Sequence, residues 1–314
     1  MTTTDERTVS AERLKRLSVA VSVTLMAVLV AIKLVAWLAS GSLVVLSSLL
    51  DSALDLVSAL ISAWSIRQSV QPADEDHRFG HAKAEPAAAL VQSVFIAASG
   101  LLIAVESVQR LIDGAPIALA PQAAGLMLLS AALVLALILF QRSVVRRTGS
   151  MAIAAEADNY RGDMLAYAAV IGALIATHLT GFAWIDPVIA LAISGFLFWN
   201  ARRVAAGSLD VLMDRELDDD VRERIVAIAE AHPGTHGVHD LRTRTDGIRN
   251  FFELHLEIDG SLTLHDAHDI ADEVETEIKQ AFAPAEVLVH LDPAGLAEDR
   301  LDDAIREAEQ DRSG

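Results

Sequence analysis

LVVLSSLLDSALDLVSALISAW, Leu43 to Trp64, is long and apolar enough to cross a bilayer, yet it carries two carboxylates, Asp51 and Asp55. A bilayer core of about 30 Å needs about 20 apolar residues per helix. The same test finds Leu17 to Ala39, Ala87 to Ile112, Ala123 to Val144, Met164 to Leu179 and Phe182 to Asn200. Six crossings result, the fifth reaching full length only if it extends back through Asn159. Basic residues stand before the first span (Arg13, Lys15, Arg16), after the second (Arg67, Arg78, Lys83), after the fourth (Arg142, Arg146, Arg147) and after the sixth (Arg202, Arg203). The connections Ser40 to Ser42 and Thr180 to Gly181 carry no charge, so the positive-inside rule puts both termini in the cytoplasm. Trp37, Trp64, Trp184 and Trp199 lie near span ends, where an amphipathic indole belongs.

Composition divides the chain in two. Through Ser208 there are 15 acidic and 15 basic residues, whereas from Leu209 onward 28 acidic face 10 basic, so the net charge of −18 belongs to the second part. The first part suits lipid and the second water; the acidic part attracts cations and excludes nucleic acid as a partner. With no cysteine, any metal must be held by His, Asp, Glu, Asn or backbone oxygen. The start, MTTTDERTVSAERLKRL, has no signal-peptide core, so the first span is expected to remain in the mature protein. The expected layout is a cytoplasmic segment 1–16, a membrane domain 17–207, a cytoplasmic metal-binding domain 208–293 and an acidic tail 294–314.

Beyond Asp210 the periods become those of soluble elements. A helix is expected from about Asp219 to Ala231, strands around Gly237 to Thr245 and Phe251 to Ile258, a helix from Leu264 to Phe282 and a strand from Glu286 to Leu291. This α-β-β-α-β order fits a small α+β domain with helices on one face of the sheet. The acidic tail after Pro293 is expected to be frayed or a short helix, in either case a solvated end.

Asp51 and Asp55 share one helical face, about 6 Å apart along the axis. An ionised Asp in a membrane helix costs about 2.5–3.5 kcal/mol on insertion scales, so it marks an ion or proton path. Asn159 and Asp163 repeat the spacing in span five, and two such faces can form a four-oxygen cage. Asp158 is rotated about 100° from that face and reads as solvated. In the loop QPADEDHRFGHAKAE, Asp74, His77 and His81 combine a carboxylate with two imidazoles. The acidic part holds His232, His236, His239, His255, His265, His268 and His290, of which His239, His255 and His290 fall on the three expected strands, with Asp292 two residues after the last. Histidines on neighbouring strands can converge on one metal.

In order, DxxxD in span two, ADEDHRFGHAKAE, the second ligand pair in span five, then GVHDLRTR, FELHLEI and VLVHLDP resemble the cation diffusion facilitators, most of all the bacterial ferrous-iron and zinc efflux type. The resemblance runs from about Leu14 to Pro293. It implies a homodimeric divalent-cation/proton antiporter of the bacterial inner membrane, with a transport site at Asp51, Asp55, Asn159 and Asp163. It further implies a loop site at Asp74, His77 and His81, and a dimer-bridging cytoplasmic site at His239, His255, His268, His290 and Asp292 on a metallochaperone-like fold. Lys83 and Asp214 resemble the family's charge interlock. Where the iron and zinc type has histidine in span five this chain has Asn159, and an all-oxygen cage favours Mn2+ and Fe2+ over Zn2+.

Two rival readings are weaker. An intramembrane aspartyl protease would need a Tyr-Asp pair and a Gly-x-Gly-Asp stretch, and here Asp163 follows Tyr-Arg-Gly. A non-transporting metal sensor would share the histidines but show no flux.

Overall fold

A computed structural model of the chain describes residues 3–40, 43–113, 121–162, 164–165, 184–297 and 300–313. The chain divides into two units, Met1–Leu209 and Asp210–Gly314. Helices α1 (Thr3–Ser40), α2 (Leu43–Ser69), α3 (Ala84–Asp113), α4 (Pro121–Thr148), α5 (151–162, with 164–165 also helical) and α6 (Ile185–Leu212) make the membrane part. Four segments among the described residues are long and apolar enough to cross a membrane: Ala11–Leu38, Ala84–Gln109, Leu128–Thr148 and Pro187–Leu212. Several helices outrun the expected spans: α1 begins at Thr3, α4 continues to Thr148 and α6 to Leu212. Hydropathy registers where lipid ends, whereas backbone hydrogen bonds carry a helix onward through its charged ends. Of the expected fifth span only 164–165 are described; Asp163 lies outside the described residues.

Polar side chains are buried inside the bundle beside apolar ones, and many large apolar side chains face outward. Ser18, Ser22, Ser58, Ser62, Gln92, Gln141 and Glu156 are buried, while Val35, Leu38, Val94, Leu102 and Leu139 are exposed. Such a surface is stable only against hydrocarbon, where small and polar side chains join helices that apolar contact alone would not hold. Gln92 donates to Ser62 Oγ at 2.7 Å, tying α3 to α2, and Gln141 donates to Ser22 Oγ at 3.0 Å, tying α4 to α1. At one end of the bundle the buried carboxylate of Glu85 accepts from Lys15 (2.6 Å), Ser69 (3.0 Å) and Ser150 (2.5 Å). Gly100 lets α3 approach α6 closely: a Cβ there would stand 3.2 Å from Leu197 Cβ.

The second unit follows the expected α-β-β-α-β order: α7 (Asp219–Ala231), β1 (Gly237–Thr245), β2 (Asn250–Ile258), α8 (Leu264–Ala281) and β3 (Ala285–Pro293). β1 pairs antiparallel with β2, and α8 crosses over so that β3 pairs parallel with β2. Phe252, Leu254, Leu256 and Ile258 alternate along β2 into a core with Ile225, Val274 and Ile278 from the helices. Thr263 caps α8 by accepting from the Asp266 amide. The period of two leaves His255 on the opposite face from that core.

The acidic tail forms a short helix that is held at its start and exposed over most of its remaining described residues. This helix, α9 (Leu301–Ser313), begins against a bulge in β1 between His239 and Arg242, where Asp240 has a φ of +51°. The Asp240 carboxylate accepts from the amides of Leu301 and Asp302, both at 3.0 Å, and its own amide donates to Asp302 Oδ2 at 3.0 Å. The first amides of a helix have no partner within it, and this reciprocal pair supplies one.

Candidate metal centres

Three clusters of potential ligands emerge. In the membrane unit, Asn159 on α5 donates its side-chain amide to Asp55 Oδ1 on α2 at 3.1 Å, so one residue of each expected pair is in contact. Asn159 is buried. Asp51 lies one turn before Asp55 within α2, but its side chain, like all of Asp163, is outside the described part. Lys33, passed over in the sequence, is buried in α1 and donates to Ser52 Oγ on α2 at 2.7 Å. Its signal was present: a lone lysine in the middle of a span seldom lacks a role.

Asp158, read as solvated, is buried and ion-paired with Arg161 and, at 2.9 Å, with Arg203 on α6. The rotation away from Asn159 holds, but that face meets α6 rather than water.

The loop between α2 and α3 gathers its three donors. Asp74 Oδ1 lies 3.4 Å from His77 Nδ1 and Asp74 Oδ2 lies 3.4 Å from His81 Nε2. A tetrahedral centre with bonds of about 2.0–2.1 Å spaces its donors about 3.3–3.4 Å apart, so little movement is needed to hold a cation. The amides of His77 (2.7 Å) and Asp76 (3.0 Å) donate to Asp74 Oδ1 and fix the carboxylate. The His77 amide is the main cause holding the Asp74 carboxyl below its ordinary value, with both imidazoles adding to it, so it is ionised at neutral pH.

Across the sheet of the second unit, His239, His255 and His290 stand in register in one row. Buried Asp292 joins them: its Oδ2 is 2.8 Å from His255 Nδ1 and 3.5 Å from His239 Nε2, and its Oδ1 is 3.3 Å from His290 Nε2. Donor atoms of His255, His290 and Asp292 lie within 4.8 Å of one another, as do those of His239, Asp240 and His255. Burial alone would push the Asp240 carboxyl up; the α9 amides and the facing His239 and His255 outweigh it and hold it below the ordinary value.

Against these geometries, family comparison is decisive. The profile of the cation efflux transmembrane domain matches residues 19–213, and that of the cation efflux protein cytoplasmic domain matches residues 217–294. The chain is a cation diffusion facilitator. Among curated members of the family, the cation-efflux pump FieF of Shewanella oneidensis is 41% identical over 88% of this chain and 92% of its own. The FieF pumps of Klebsiella pneumoniae and Yersinia enterocolitica are 39% and 40% identical over the same shares. A solved structure described as the metal-bound C-terminal domain of the CzcD transporter from Thermotoga maritima matches 25% of this chain and 93% of its own at 31% identity, with a TM-score of 0.24. As a facilitator the chain is a multi-pass membrane protein that exports divalent cations.

His268 does not join the row within one chain: it is exposed on α8, with Nε2 3.6 Å from Asp272 Oδ2. Asp240 and Glu257 do join it, Glu257 Oε1 lying 3.5 Å from His239 Nδ1, and both were missed in the sequence. Lys83 belongs to the first unit and Asp214 to the second, where Asp214 Oδ1 lies 3.5 Å from Arg244 Nη1.

Proposed function

We propose that this facilitator is a homodimeric antiporter of the bacterial inner membrane, exporting Mn2+ or Fe2+ in exchange for protons, with both termini in the cytoplasm. The transported ion binds between α2 and α5 at Asp51, Asp55, Asn159 and Asp163, and incoming protons displace it by competing for the same carboxylate oxygens. The observation that carries this reading is the 3.1 Å contact between Asn159 and Asp55, which joins one residue of each pair inside the bundle. All four donors are oxygens, the ligand type that suits Mn2+ and Fe2+.

Asp74, His77 and His81 hold metal at the cytoplasmic mouth. Residues 208–293 act as a load sensor in which His239, His255, His290 and Asp292, with His268 from either subunit, bind metal and draw the subunits together. Lys83 of the membrane domain, 17–207, and Asp214 are the charge interlock that the family resemblance implies. The second reading is export of Zn2+, Cd2+ or Co2+ by the same mechanism, favoured by the imidazoles of the loop and sheet clusters.

The test is flux from purified protein in vesicles under an imposed pH gradient, compared across Mn2+, Fe2+, Zn2+ and Co2+. Flux that ignores the gradient rejects antiport, and absence of flux for every ion leaves a metal sensor in its place.

A further inference from the structure

Where α4 stops and α5 begins, α3 to α6 surround a cavity of about 530 Å3 that none of the three metal clusters uses. Arg142 and Arg146 from α4, Arg161 from α5 and Arg203 from α6 line it, against one carboxylate, Asp158. Four guanidinium groups and one carboxylate leave a net charge of three positive units. Asp158 is taken up by its pairs with Arg161 and Arg203. Arg142 and Arg146 stand one turn apart on one face of α4, and both are exposed. Arg161 Nε is buried and has no hydrogen-bond acceptor among the described residues. A buried donor left in that state calls for a partner.

Such a lining repels a divalent cation, so the cavity is no part of the metal route. It matches phosphate, whose oxygens take guanidinium groups two hydrogen bonds at a time. The level in the membrane says which phosphate. On the orientation proposed above, the basic last turn of α4 and the Arg202–Arg203 pair of α6 are at the cytoplasmic face by the positive-inside rule, and the Arg203 guanidinium stacks 5.3 Å from the ring of Trp199, a residue type of the lipid–water interface. The wall beside the arginines is small: Ala154, Ala155 and Gly207 line it, and a Cβ added at Gly207 would meet nothing within 4 Å. We propose that this cavity binds the phosphodiester headgroup of an anionic phospholipid of the cytoplasmic leaflet. A choline or ethanolamine headgroup brings its own cation to a site already carrying excess positive charge, and is disfavoured. Because Asp158 immediately precedes Asn159, an occupied site braces the helix that carries the transport residues.

The test titrates purified full-length protein in detergent with phosphatidylglycerol, phosphatidylcholine or inorganic phosphate, reading bound lipid by native mass spectrometry and unfolding temperature in parallel. Phosphatidylglycerol should bind and raise the unfolding temperature, and the other two should not. Replacing Arg142 and Arg146 together by Gln should weaken it about thirtyfold, from about 1 kcal/mol for each basic group near a lipid surface. Gly207→Phe, which keeps every charge and fills the space, should weaken it as well. Removing the same charge from α1 with Arg13→Gln and Arg16→Gln should leave binding unchanged. Equal weakening by the α1 pair would reduce the effect to general leaflet charge and overturn the proposal. So would equal binding of phosphatidylcholine, displacement by equimolar inorganic phosphate, or full binding in both cavity variants.

Discussion

The side-chain amide of Asn159 donates to a carboxylate oxygen of Asp55 across the α2–α5 contact, at 3.1 Å. An amide carries two N–H donors and a carbonyl acceptor on one carbon. The donor side faces the carboxylate here. Turning the amide about its last side-chain bond presents the carbonyl oxygen instead, with no movement of either helix. Position 159 is therefore close enough to Asp55 to join it on one ion.

Asp51→Ala, Asp55→Ala and Asp163→Ala are each expected to lower proton-coupled flux by more than about a hundredfold. Losing a supporting residue beyond the ligands already costs 10–100-fold in metal sites, and these changes remove a charged ligand itself. Each variant should keep the wild-type elution volume on size exclusion, because removing a membrane carboxylate relieves a desolvation cost rather than opening a packed core. Near-normal flux in any two of them sinks the transport-site assignment.

In the sheet domain, His255→Ala combined with His290→Ala should abolish metal-dependent tightening of the dimer. Both residues reach Asp292, so together they remove two of its three imidazole neighbours. Sedimentation of the full-length protein with and without Zn2+ or Mn2+ measures this. If metal still tightens the double variant, the ligands lie elsewhere, with His232 and His236 next in line.

Much of this was legible in the residues, and the failures have physical causes. Apolar length marks spans because lipid imposes a fixed thickness, and spacings of four marked Asp55 and Asn159 because helical geometry is regular. Period two placed His239, His255 and His290 on one row for the same reason. Asp240 escaped because a bulge breaks that period at its own position. The docking of α9 escaped because it depends on a carboxylate some 60 residues away in sequence rather than on any local pattern. Asp158 was misplaced because a helical wheel gives direction and not the neighbour found there, here Arg203.

The Asp240–α9 contact yields a pH-dependent outcome. Since the Asp240 carboxyl lies below its ordinary value of about 3.9, its ionised form is the one the fold favours. Its contribution is complete above about pH 3.9 and is lost as pH falls through the lower folded value. Asp240→Asn tolerates the left-handed backbone but removes the charge and one acceptor, a loss of about 1 kcal/mol. In metal-free full-length protein at neutral pH, the Leu301 and Asp302 amides should then exchange about fivefold faster, a gap that closes in strong acid. Equal protection at neutral pH refutes the cap.

Asn159→His tests the proposed oxygen-only transport site. An imidazole converts the oxygen cage into a mixed nitrogen and oxygen site, and nitrogen helps Zn2+ more than Mn2+. The amide donor to Asp55 is also exchanged for a ring whose second nitrogen can still donate, so the α2–α5 contact need not be lost. The new group titrates near pH 6.5 when unperturbed, so flux should become more sensitive to pH between about 6 and 7. Zn2+ flux relative to Mn2+ flux, measured in the same vesicles, should rise about tenfold, equivalent to about 1.4 kcal/mol. If the wild type already prefers Zn2+ and the substitution leaves the ratio unchanged, position 159 does not select the ion, and the preference for Mn2+ or Fe2+ falls with it.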